Sequence, residues 1–315
     1  MATTASSMEK TTDSSNGSNV GDQLSTFTKY SVLVPELREH ALSYAKLNDL
    51  KEYSQCSKLC NSEVQKHNTK APSELVVEGN FATQNFNVKL HYERSVIKKQ
   101  FLHTERDPMD EIHDYLQKMH RYVTEGNIKT VSVHMDQWPT QLMQFDGLAD
   151  MKKLVVSPDD CMWGDFEYFT KTTEMRLNEL TMVSGFDRDF VIPSSFFKSE
   201  FTKSLETLIV LLKIEIDKKD FVNSSWNCLV VHNWIDIDMI QEKFLKHIET
   251  NAAKAFHLSI TLPATENRVF DLNEILPVNR FGERDIQPRQ IMVRIGSRIR
   301  ARISNNGKFM IIRYE

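Results

Sequence analysis

Two thiols stand four residues apart at Cys56 and Cys60, a spacing that puts both on one face of a helix. As thiolates they could hold zinc, but zinc takes four ligands and the neighbouring sequence supplies no others, so buried structural cysteines are expected. Cys228 and His232 carry the ingredients of a nucleophile and its base. On a strand they share a face but lie ~13 Å apart at ~3.3 Å per residue, too far to touch. His113 and His120 fall two turns apart on a helical stretch and are expected to face solvent. The ten glycines never form G-x-G, and no G-x-S-x-G elbow occurs. The expectation is a protein that is not an enzyme and uses no metal or other cofactor.

Charge bears on the choice of partner. Near the C-terminus Ile291, Val293, Ile295, Ile299, Ala301 and Ile303 share one parity, and Arg294, Arg298, Arg300 and Arg302 the other. That is a half-buried strand pair with an arginine face, which either sits in solvent or meets phosphate or acidic protein. A net charge of −4 points away from nucleic acid and from an anionic membrane as the main partner. Four cysteines are too few for a disulfide scaffold. Neither a signal-like apolar run nor a membrane-spanning run of ~18 apolar residues occurs, so an intracellular chain, cytoplasmic or nuclear, is expected.

Three segments of the chain must position these groups. Residues 1–24 are rich in Ser, Thr, Asn and Gly and read as a disordered tail. Residues 25–70 contain three short helical stripes: Leu37, Ala41, Tyr44, Ala45; Leu47, Leu50, Tyr53; and Leu59, Cys60, Val64. Alone they make a small module or a helical cap on the large domain, which spans residues 71–315. There Phe86, Val88, Leu90 and Tyr92 alternate as a strand. A helix begins at Asp107-Pro108, carries Ile112, Leu116, Met119 and Val123, and is expected to close at Gly126.

From residue 128 a period appears, apolar-x-x-apolar-x-apolar. It fits Ile128, Val131, Val133; Met151, Leu154, Val156; Leu177, Leu180, Met182; Leu205, Leu208, Val210; Trp226, Leu229, Val231; and Ala255, Leu258, Ile260. Successive starts are 23, 26, 28, 21 and 29 residues apart. Leucine-rich repeats run at ~20–29 residues with this strand pattern. Helical spacings lie between: Leu142, Phe145, Leu148; Phe197, Phe201, Leu205; and Ile240, Phe244, Leu245, Ile248. The expected fold is α/β, a degenerate leucine-rich-repeat-like solenoid of parallel strands with return helices, closed by a C-terminal β-hairpin around Asn306-Gly307. The Asn that a regular repeat wants at each bend is replaced by Asp136, Asp159, Gly185, Lys213, Trp234 and Pro263. Alternation then sends Val155, Val183, Ile209, Leu211 and Val230 outward as an apolar patch with polar neighbours, the form of a protein-binding surface. The competing expectation is that residues 75–125 cover this face.

Residues 33–66 resemble an F-box. The matching residues are Leu33-Val34-Pro35, Leu37, Leu42, Asp49-Leu50 and Cys56-Ser57-Lys58-Leu59-Cys60. The second half is similar to the F-box-associated domain of the large nematode F-box families, through Phe244-Leu245-Lys246-His247, Gly296-Ser297 and Ala301-Arg302-Ile303. The sequence departs from those patterns where Val34 separates Leu33 from Pro35, and at Cys60 and Ile295. The resemblance implies an adaptor of an SCF (cullin-RING) ubiquitin ligase. Leu33, Pro35, Leu37, Leu42 and Leu50 would dock onto the ligase's adaptor subunit, and the large domain would capture a protein substrate.

Overall fold

In the computed structural model of the chain the described residues are Gln55 and 71–315, except 94, 103–105, 122, 124–125, 185–189, 252, 264, 283, 286–292, 296–297 and 305–306. The chain divides into two compact units, Met1–Asn68 and Thr69–Glu315. Every strand and helix with assigned bounds belongs to the second. Leu33, Pro35, Leu37, Leu42 and Leu50, with Cys56 and Cys60, lie outside the described residues.

Alternating apolar residues form β1 (Glu74–Asn80) and β2 (Asn85–Tyr92), which pair antiparallel, and β3 (Ser95–Leu102) adds to β2 as one edge of the sheet. Helix α1 (Pro108–His120) comes next, with Met109, Ile112, Leu116 and Met119 buried. The Asp107 carboxylate accepts the Met109 N–H at 2.7 Å, and proline occupies the first turn, where a missing N–H leaves nothing unpaired. The helix stops short of the expected Gly126, because the Arg121 N–H closes onto the Gln117 and Met119 carbonyls. Val123 therefore lies beyond it.

Strand β4 (Thr130–Met135) pairs parallel with β1. Two short 3-10 turns, Leu142–Gln144 and Asp146–Leu148, lead to β5 (Lys153–Val156) and α2 (Asp160–Thr172). Next come β6 (Glu179–Met182), β7 (Val191–Ile192), α3 (Ser194–Phe197), α4 (Glu200–Ser204), β8 (Thr207–Val210), β9 (Lys213–Ile214) and α5 (Lys218–Asn223). Strand β10 (Cys228–Val231), α6 (Ile237–Asn251) and β11 (Phe256–Thr261) complete this region. All six strands at the periodic sites, β4, β5, β6, β8, β10 and β11, pair in parallel in chain order. Strands β7 and β9 form a small separate pair.

The unit is a mixed α/β domain on a 13-strand sheet whose seven central strands, β1, β4, β5, β6, β8, β10 and β11, run parallel and whose two flanks are antiparallel. Its C-terminal part runs through α7 (Leu272–Ile275) and α8 (Val278–Phe281) to β12 (Arg284–Asp285), β13 (Val293–Ile295), β14 (Ile299–Ser304) and β15 (Phe309–Tyr314). The β14–β15 hairpin does more than close the domain. β15 pairs antiparallel with β11, so the hairpin continues the sheet past its last parallel strand.

The core lies on one face of this sheet. Inner positions such as Val131, Leu154, Leu180, Leu208, Leu229 and Leu258 are buried, as is the first position of the period from Ile128 to Trp226, whereas Ala255 is exposed. Aromatic pairs join the helical layer to that face: Phe101–Tyr115, Phe197–Trp226 and Phe244–Phe256. Trp226 is anchored further, its Nε1 donating to the Thr202 carbonyl at 2.8 Å. Two of the six bend positions carry useful carboxylates. Asp136 accepts the Phe81 N–H at 3.0 Å, and Asp159 caps α2 through the Met162 N–H at 2.9 Å.

Candidate protein-binding face

Side chains alternate along a strand, so every inward residue leaves an outward neighbour. Because the parallel strands pair without offset, outward residues fall into rows across the sheet, with neighbours ~4.8 Å apart. The middle row runs Ser132, Val155, Thr181, Ile209, Val230, Ser259 and Ile311. The next row continues the ladder past the strand ends. There the backbone N–H groups of Ser157, Val183, Leu211 and His232 bond the carbonyls of Val133, Val156, Met182 and Val210.

The expected patch is therefore assembled in part. Ile209 and Val230 are direct neighbours, with Val183 and Leu211 beside them in the next row. Val155 is set off from Ile209 by Thr181, which interrupts its row. Leu211 is 41% exposed, and Val155, Val183, Ile209 and Val230 are half-buried. Residues 74–102 do not cover this face. They extend the sheet sideways as β1, β2 and β3, and Phe101 turns to the helical side to meet Tyr115 of α1. Ile311 lengthens the middle row, and sequence periodicity gives no sign of it, since its placement depends on β15 lying beside β11.

Polar pairs rim the apolar centre. Lys153 Nζ and Glu179 Oε1 lie 2.7 Å apart, and His134 Nδ1 meets the Ser157 hydroxyl at 2.7 Å. Burial lowers the pKa of His134 despite nearby Glu78 and Glu74, which act in the opposite direction. At the far end Arg313 Nε donates to His257 Nδ1 at 3.1 Å. Burial, then the adjacent guanidinium, lowers the His257 pKa, so the imidazole is neutral at pH 7 and carries its proton on Nε2.

The other candidate groups resolve plainly. His113 and His120 do not face solvent; both are half-buried and set their rings edge-on to Phe145, with centroids 6.3 and 5.3 Å away. Cys228 is partly exposed, and burial raises its thiol pKa, which keeps it protonated and poorly nucleophilic. Its register partner is His257 on β11 rather than His232 of its own strand. A hollow of ≈ 900 Å³ lies off this face between α2 and α4, where Lys171, Arg176 and Lys198 intermix with Glu174, Glu200 and Glu206. Among the described residues no group of three or more His, Cys, Asp or Glu could hold a metal ion, and no helix is long and apolar enough to cross a membrane.

No protein-family model matches this chain, and neither a curated protein nor a solved structure matches it.

Proposed function

We propose that the chain is a non-enzymatic, intracellular substrate-recognition adaptor of an SCF (cullin-RING) ubiquitin ligase. The large domain is read as leucine-rich-repeat-like, with parallel strands offering one open face and helices returning on the other. The observation that carries the capture role is the apolar cluster Val183, Ile209, Leu211 and Val230 on the partly exposed sheet face, rimmed by polar pairs. Apolar centres with polar rims are how protein-binding surfaces are built. Ligase docking rests on the F-box-like pattern of Leu33, Pro35, Leu37, Leu42 and Leu50.

The same open face would serve a repeat-type interaction module without ligase function, because it is formed by residues outside 25–70. Binding of the full chain to the ligase's adaptor subunit separates the two readings. Leu37→Asp should weaken that binding by ~30- to 1000-fold, the loss of ~2–4 kcal/mol expected for an apolar anchor at an interface centre. Equal binding by this variant and the parent chain would leave the module reading in place.

A further inference from the structure

The outward face is not uniform along its length. On its β1 side charges are mixed: Glu78 pairs with Lys89 at 2.6 Å, and Glu179 pairs with Lys153. At its β14–β15 end arginines predominate. Arg300 and Arg313 stand directly opposite each other in the antiparallel register, and Arg302 stands opposite Ile311. Like charges directly opposed across two strands destabilise a sheet. Among the described residues Glu315 is the one carboxylate paired with these guanidiniums, 2.8 Å from Arg300. Arg313 spends its Nε on neutral His257, which offers no compensating charge. A hollow of ≈ 320 Å³, lined by Cys228, His257, Arg313 and Glu315 among others, opens at this corner.

We infer that this cationic corner takes the carboxylates of an acidic, extended peptide segment. The inference deepens the capture role proposed above and rests on that reading. An acidic segment supplies the counter-charge that no carboxylate among the described residues gives Arg302 and Arg313, and guanidinium pairs well with carboxylate in a two-pronged geometry. Nucleic acid fits less well. The net charge is −4, and the rest of the face carries Glu74, Glu78 and Glu179, which would repel a phosphate backbone. The sheet also sets the spacing. Arg302 lies three strands from Val230, through Ser259 and Ile311, which is ~14 Å at ~4.8 Å per strand. An extended segment crossing the strands covers that distance in about four residues. The recognised segment therefore carries an apolar residue followed about four positions later by Asp or Glu.

The test is fluorescence anisotropy on the full chain with a labelled peptide, Leu-Ser-Gly-Ser-Glu-Glu, beside the same peptide with Lys for Glu. The acidic peptide should bind, the basic one should not, and affinity should fall at least ~3-fold between about 50 and about 300 mM salt. Arg302→Glu with Arg313→Glu should weaken binding at least ~10-fold; should that pair fail to fold, Arg302→Gln with Arg313→Gln should weaken it at least ~3-fold. Loss on arginine reversal with no effect of Ile209→Asp keeps the acidic site but removes the apolar capture face. No binding, equal binding of both peptides, binding indifferent to the arginines, or tighter binding of polyuridine than of the acidic peptide each overturns the inference. Among these, loss with Ile209→Asp alone would leave the capture face standing without an acidic site.

Discussion

Lys243 reaches from α6 into the domain interior and donates its Nζ proton to the Ser224 hydroxyl at 2.8 Å and to the Ser224 carbonyl. The ammonium also lies 5.9 Å from the centre of the Trp226 ring. Burial, then the charge of Lys246, lowers its pKa from 10.5 to about 8. The unfolded chain holds this proton more tightly, so between about pH 8 and 10.5 it binds more protons than the folded chain. This residue's contribution to stability is therefore least favourable below pH 8 and improves as pH rises toward 10.5, by ~3 kcal/mol at most. Urea denaturation of the parent chain and of Lys243→Met across that range should show a stability difference that slopes with pH. A flat difference would mean that Lys243 is not desolvated in solution.

Gly79 is needed where the sheet passes under an aromatic ring. A Cβ built there would meet Phe86 Cδ1 at 2.2 Å, and Phe86, its register partner on β2, is fully buried. The ring cannot retreat without disturbing the inner face and its edge contact with Phe81. Gly79→Ala should lower stability by ~1–3 kcal/mol in a melting or denaturant series. Gly126, with open space around its Cβ position, is a comparison for steric crowding, since only its φ of +80° resists substitution.

Neighbouring residues of β10 should respond unequally to truncation. Leu229 is 1% exposed among the helices, whereas Val230 faces outward and is half-buried. Leu229→Ala should cost ~2–5 kcal/mol, and Val230→Ala should cost less than ~1 kcal/mol. Equal losses in denaturant titrations would mean that the outward face is covered in solution.

The parallel strands were legible because a strand buried on one face must repeat its apolar residues at a fixed parity, and Leu180, Leu208 and Leu229 do so. Helix α2 carries a legible signal of its own: Asp159 caps it, and Met162 and Phe166 recur at helical spacing. Strand β3 is hidden because Lys98 and Lys99 are adjacent and break the alternation on an edge strand, where lysine guards against stray pairing. The position of β15 cannot be read at all. Antiparallel pairing with β11 is a long-range choice, and it alone brings Ile311 and Arg313 onto the outward face beside Ser259 and His257. The apolar patch is thus readable by residue type, but the order of its rows and the cationic corner are set by strand pairing.

The most direct test of the capture role is Ile209→Asp in the full chain, measured by thermal unfolding and by quantitative co-purification from native tissue. A carboxylate on an open face is hydrated and costs little, whereas in a closed core it is buried without a partner and costs several kcal/mol. The account predicts a melting temperature close to that of the parent chain, retained adaptor-subunit binding, and loss of at least one other bound protein. A variant that unfolds, or one that stays folded and keeps every partner, would contradict it.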